Sequence, residues 1–169
     1  MGSNISGRAD TRAVLDAVRR IVQTLRESSR LAEARVGLSG AQLFVLQKLR
    51  EVPGASVNEL AERTHTHQSS VSTVVARLVQ RGLVQRSRSG VDGRIVELSL
   101  APGGRQIVTR APDVAQEALV RAVEALPESR RRTLASGLTA LAQAIDRRER
   151  APEMFFEERH DRRRRTRHA

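Results

Sequence analysis

Residues 56–100 read SVNELAERTHTHQSSVSTVVARLVQRGLVQRSRSGVDGRIVELSL. Ser56 followed three residues later by Glu59 is the S-x-x-E pattern, in which side chain and backbone satisfy each other's free donors at a helix start. Val57, Leu60 and Ala61 then repeat at the i, i+3, i+4 spacing of a core-facing stripe. His65-Thr66-His67 breaks the pattern, and a second helix is predicted from Gln68 to about Arg81. Its stripe is Val71, Val74, Val75, Leu78 and Val79. Gly82 lies just past the last periodic residue, where a helix is stopped by a residue that tolerates positive φ.

Two short β-rich segments follow, 83–88 and 94–100, joined by Ser89-Gly90-Val91-Asp92-Gly93. Apolar alternation on both sides of a Gly/Asp/Ser cluster signals a hairpin. Five residues are longer than a tight turn needs, so the loop projects as a wing. Two helices, a turn and a winged hairpin outline a winged helix-turn-helix, a DNA-reading module. The polar side of the second helix carries Gln68, Ser69, Ser72, Thr73 and Arg77, with His67 and Ser70 beside it. Short hydroxyls and amides near a helix start read base edges in the major groove, and arginines reach guanine or phosphate. Between Gln68 and Arg94 the arginines 77, 81, 86, 88 and 94 outweigh Asp92 to give +4 over 27 residues. Such a patch suits phosphate contacts, with Arg86 and Arg88 on the strand and Arg94 near the hairpin tip, where an arginine suits a narrow minor groove.

The order LSGAQLFVLQKL, NELAERTHTHQSSVSTVVARLVQRGLVQR, the wing with Asp92-Gly93-Arg94, and LSLAPGGR resembles the MarR (multiple antibiotic resistance regulator) family of bacterial transcription factors. The likeness covers roughly residues 38–104, and helical flanks extend it to about Arg148. The Asp-x-Arg wing, apolar strand and Gly-containing helix start are its specific part. The resemblance implies that Arg94 enters the minor groove, that Asp92 orients the wing, and that base reading falls on the face from Gln68 to Arg77. It also implies a two-fold dimer with interlocking terminal helices and a small, often aromatic or phenolic, effector. The chain departs from the family at the turn, where His65-Thr66-His67 replaces a glycine, an apolar residue and a hydroxyl or Asp cap. A less tightly packed turn is expected there. Ala101 stands where a hydroxyl cap would precede the next helix, although Pro102 suits a first helical position.

The expected fold is mainly α (α+β), with a winged helix-turn-helix lobe over 38–101. A helical dimerisation region is expected over 10–37 and 102–150, a flexible N-terminus over 1–9, and a basic tail over 151–169. In the first flank Val14, Val18, Ile21, Val22 and Leu25 recur at helical spacing from Arg12 to Leu31. Ser39 caps a helix that buries Leu43, Phe44, Leu46 and Leu49. After the wing, Ile107, Val108, Val114, Leu119, Ala122, Val123 and Leu126 form one run. Pro112 interrupts it, so a break is predicted near Ala111. A last helix, from Glu128 to Arg148, carries Leu134, Leu138, Leu141 and Ile145. This is more apolar surface than a lone winged module covers, which predicts a homodimer.

The whole chain fits one domain of 169 residues with a net charge of +11, nearly all of it from arginine, Lys48 being the only lysine. That charge implies a polyanionic partner, double-stranded DNA. Without cysteine there is no disulfide or thiol switch. No apolar run reaches about 18 residues, and a cytoplasmic protein without membrane contact is expected. No nucleophile-base pair, phosphate loop or metal cluster stands out, so neither an enzyme nor a cofactor is expected. His65 and His67 lack further ligand residues nearby for a metal site. Arg12, Arg26 and Arg35 could meet an acidic ligand, although helix charges are usually a solvated face. With Phe44, Phe155 and Phe156 as the only aromatics, an effector pocket would be aliphatic and arginine-rich, suited to an amphipathic or phenolic anion.

In the tail, Met154-Phe155-Phe156 precedes Arg162–Arg165. It reads as a disordered basic end or as an arm on the DNA backbone, with the two phenylalanines packed on the dimer body. The function expected is a homodimeric repressor of a palindromic operator, released by a small ligand. The alternative is an architectural, nucleoid-type protein that binds DNA without discriminating sequence.

Overall fold

The computed structural model describes residues 3–88 and 96–145, with side chains from residue 7 onward. Helix α1 runs Ser3–Val36, α2 Gly40–Glu51, α3 Val57–Arg63 and α4 Gln68–Gln80. Strands β1 (Val84–Arg88) and β2 (Val96–Leu100) lead to α5 (Pro102–Arg110), α6 (Ala115–Glu124) and α7 (Glu128–Ile145). Mainly helical with one antiparallel hairpin, this is the winged helix-turn-helix expected. The first helix differs from its expected outline, because it begins at Ser3 where a flexible start was expected and continues through Arg35.

The central element is α2, which packs against α1, α3, α4, α5, α6 and β2. Its Leu43, Phe44, Val45, Leu46 and Leu49 are all buried. Nearly every side of this helix is covered, which explains why its run of apolar residues is almost continuous rather than a stripe. The capping box predicted at α3 is formed, and the predicted Ser39 cap of α2 proves to be a full box as well. Ser39 Oγ accepts from Gln42 N while Gln42 Oε1 accepts from Ser39 N, and Ser56 and Glu59 do the same at α3. Leu60, Ala61, Val71, Val74, Val75 and Leu78 face the core as their spacing predicts.

Helices α3 and α4 end alike. His65 N donates to Glu62 O and Thr66 N to Ala61 O; seventeen residues on, Gly82 N donates to Val79 O and Leu83 N to Leu78 O. Each pair of bonds is a Schellman closure around a left-handed residue. Gly82 takes φ 69° without strain, whereas His65 takes φ 50°. The expectation of a loosely packed turn is therefore corrected: both closing bonds are made, with a histidine in the position that glycine normally fills.

In the hairpin Val84 pairs with Leu100, Arg86 with Leu98 and Arg88 with Val96. Residues 54 and 55 extend the sheet, since Gly54 N donates to Leu98 O and Leu98 N to Ala55 O. Helix α5 begins with Pro102 after an Ala101 that offers no side-chain cap. Gly104 sits where an added Cβ would lie 2.2 Å from Leu83 O, so only glycine lets α5 approach the strand entry this closely. The break at Pro112 falls where predicted: Ala111 is extended and α6 starts at Ala115. Among the described residues no helix is long and apolar enough to cross a membrane.

Polar contacts join the outer helices to α2 and to each other. Ser29 Oγ accepts from Gly40 N at 3.0 Å and Ser28 Oγ accepts from Ala115 N at 2.9 Å. Gln47 Nε2 donates to Pro112 O at 3.1 Å. Lys48, nearly buried on α2, reaches Glu117 Oε2 at 2.7 Å and Glu51 Oε2 at 3.2 Å. Burial alone would lower the pKa of this ammonium, but its hydrogen bonds to the two carboxylates outweigh that and raise it above the ordinary lysine range.

Candidate nucleic-acid interface

Side-chain positions on α4 follow from its pitch of about 100° per residue. With Val71, Val74, Val75 and Leu78 turned inward, the side presented to solvent is Gln68, Ser69, Ser72, Thr73, Ala76 and Gln80. Ala76 and Gln80 do not stand out in the sequence, since neither carries a hydroxyl or a charge. Their spacing from Ser72 and Thr73 was the available signal, and an alanine methyl at the centre of such a face suits a thymine methyl. Thr73 Oγ1 donates to Ser69 O at 3.0 Å, so its hydroxyl faces outward as an acceptor.

Three of the expected contributors sit differently. Ser70 is buried, 6 % exposed, because it lies one residue round the helix from Ser69, on the flank that turns into the core. It is withdrawn from the interface. Arg77, two turns further along that flank, is half-buried. Arg81 contributes to the basic patch by sequence, yet its Nη1 donates to Gln42 Oε1 at 3.5 Å, joining the end of α4 to the capping box of α2.

His67 is the N-cap of α4 and is exposed; its side chain makes no cap hydrogen bond. The first amides of a helix lack intrahelical acceptors and favour an anion there. On β1, Arg86 and Arg88 are exposed and, two residues apart, share one face of the hairpin. The wing tip with Asp92 and Arg94, and the tail from residue 146, lie outside the described residues. Among the described residues no group of three His, Asp or Glu side chains is arranged to hold a metal. Arg12, Arg26 and Arg35 stand exposed along α1, and Arg12 faces Asp16 on its own helix.

An exposed polar recognition face, a basic hairpin beside it and helical flanks are a regulator's architecture, and comparison with known proteins gives it a family. The MarR family model matches residues 36–95. The HTH-type transcriptional repressor Rv2887 of Mycobacterium tuberculosis is 32% identical over 106 residues, which cover 63% of this chain and 73% of that protein. The chain belongs to the MarR family. Another MarR-type relative, the HTH-type transcriptional repressor MdtR of Bacillus subtilis, is 38% identical over 68 residues, 40% of this chain and 44% of MdtR. Among solved structures, the transcriptional regulator BldR from Sulfolobus solfataricus superposes with a TM-score of 0.52 at 25% identity, covering 86% of this chain and 100% of that one. MarR-family membership makes the chain a DNA-binding transcription regulator and not an enzyme.

Proposed function

We propose that the protein is a homodimeric repressor that binds a palindromic operator through α4 and the wing and is released by a small ligand. The reading rests chiefly on one observation: an exposed polar face on α4 shares the chain with two helices whose apolar stripes are uncovered. On α7, Leu134, Leu138, Leu141 and Ile145 are 42%, 48%, 38% and 74% exposed, and on α1 Val14, Leu15 and Ile21 are similarly open. Stripes of that size call for a partner, and a second copy supplies matching ones. The helical dimerisation region therefore comprises α1 and α5 to α7, and the DNA-binding lobe α2 to β2.

In this reading Ser69, Ser72, Thr73, Ala76 and Gln80 face base edges, His67 and Gln68 lie by the backbone at the helix start, and Arg77, Arg86 and Arg88 meet phosphates. Asp92 and Arg94 form the minor-groove wing, and the basic tail adds affinity without sequence preference. Two recognition helices related by a dyad require half-sites about 34 Å apart. A ligand that prefers another separation by about 1–3 kcal/mol would release DNA. An amphipathic or phenolic anion is the effector this reading favours, because aliphatic side chains and arginines, with few aromatics, are what the chain offers to line a pocket.

The test is the ratio of affinities for palindromic DNA from the promoter beside the protein's own gene and for random DNA at fixed salt. A ratio of about 10³ or more supports the repressor. A ratio near one favours the architectural alternative. Light scattering of the free protein checks the dimer, and operator release by a panel of aromatic acids checks the effector.

A further inference from the structure

His65 is the only non-glycine with positive φ among the described residues. Glycine would close the same turn at lower cost, so a histidine there calls for something its side chain does. Its Nε2 lies 3.0 Å from Glu124 Oε1, at the last residue of α6 and 59 positions away in sequence. The backbone of Glu124 is engaged as well, its carbonyl accepting from Arg131 Nη1 of α7 at 3.1 Å. One residue thus touches the turn that launches the recognition helix and the first turn of the helix assigned to the dimer arm. Seven positions earlier, two turns along the same face of α6, Glu117 holds the buried Lys48 of α2.

We propose that α6 is a strut fixed to the DNA-binding lobe at two points, with Glu117–Lys48 as its pivot and Glu124–His65 as a latch that sets the separation of the two recognition helices. This rests on the dimeric reading above. The pivot is nearly buried and carries the packing of α6 on α2, whereas the latch lies at the surface, 58% and 53% exposed in its two side chains. Opening the latch therefore lets the lobe swing about the pivot without unfolding. In a dimer a small swing is doubled at the dyad, so the latch acts on tolerance of half-site spacing more than on contact with either half-site. His65 and Glu124 are positioning residues, and neither needs to touch DNA.

The experiment uses the full-length protein with His65→Gly, Glu124→Ala and the double variant. Operators carry the preferred spacer or one base pair more or less. His65→Gly retains the left-handed turn, so it folds. The wild-type protein should prefer one spacer. Each single variant should lower that preference by about two- to fivefold, the range of an exposed side-chain contact. Affinity for random DNA at the same salt should not change, and the double variant should do no more than either single one. Unchanged spacing profiles in both variants, equal losses on random DNA, or effects that multiply in the double variant would each overturn the latch while leaving the dimeric repressor intact. A wild-type protein indifferent to both spacing and palindromy would instead overturn the dimeric reading, and the latch with it.

Discussion

Lys48 Nζ stands 2.7 Å from Glu117 Oε2, and this ion pair, with Glu51 as a second acceptor, ties the central helix to α6. Only 11% of the Lys48 side chain and 24% of Glu117 is exposed. Removing the cation leaves the partly buried Glu117 without its 2.7 Å partner, while Glu51, 47% exposed, keeps its water. Lys48→Met keeps the aliphatic stem and should cost about 1–3 kcal/mol, below the value for a fully buried pair because Glu117 keeps some solvent. Adding Glu117→Leu should recover most of that loss, since an apolar pair needs no desolvation. A double-mutant cycle by urea denaturation measures this.

The same pair fixes a pH dependence. The folded-state pKa of Lys48 is raised, so its contribution is complete below the unfolded lysine value of about 10.4 and falls as pH rises through the higher folded value. Stability of the wild type relative to Lys48→Met should therefore be flat from neutrality to about pH 10 and shrink above it.

His65 and Gly82 occupy equivalent positions in two equal turns, with φ 50° and 69°. Exchanging side chains there should have opposite effects. His65→Gly should raise stability by up to about 1 kcal/mol, reduced by the loss of its contact with Glu124, because the left-handed cost disappears. Gly82→Ala should lower it by about 1 kcal/mol through the strain it introduces. Thermal unfolding of the two variants decides the sign.

What could be read from sequence here is what is local. Ser39 with Gln42, Ser56 with Glu59, Pro112 before the gap and the 3.6-residue stripe of α4 each declare themselves within a few residues. Contacts between distant residues were not legible. Arg81 looks like part of a basic patch until folding brings Gln42 beside it, and Ser70 looks like its neighbours until the helix angle turns it inward. Lys48 was visible only as the single lysine of an arginine-rich chain; nothing near it in sequence names Glu117. His65 seemed a defect in the turn because its αL conformation usually marks glycine, and its contact with Glu124 is non-local.

Gly104 should tolerate no side chain. A methyl group 2.2 Å from Leu83 O meets backbone rather than a side chain that can rotate away. Gly104→Ala should cost about 3 kcal/mol, the upper range for overpacking. Gly103→Ala, whose Cβ would meet only the Leu83 side chain at 3.5 Å, should cost far less. Equal losses in the two would remove the close-approach argument.

Helices α5 and α6 start on residues that cannot cap. At α6 the deficit of Val114 is met from α1, where Ser28 Oγ accepts from Ala115 N. At α5, Ala101 has no side-chain cap. Ser28→Ala should therefore cost about 1 kcal/mol, and Ala101→Ser should gain about 0.5–1 kcal/mol. Denaturation midpoints of the two variants should move in opposite directions.

Arginines that look alike in sequence separate by environment. Arg86, Arg88 and Arg81 are all exposed, but Arg81 also hydrogen-bonds Gln42 beside the start of α2. If the first two meet phosphates, Arg86→Ala and Arg88→Ala should each lower the slope of log affinity against log salt by about 0.9, and weaken operator and random DNA alike. Arg94→Ala at the wing should weaken the operator more than random DNA, because a narrow minor groove depends on sequence. Arg81→Ala should change the salt slope less and lower stability slightly, since its guanidinium is directed at Gln42 in the capping box of α2. Salt titrations of operator binding, paired with unfolding curves, sort the four variants; a slope change for Arg81→Ala equal to that of Arg86→Ala would mean that charge count, not placement, governs binding.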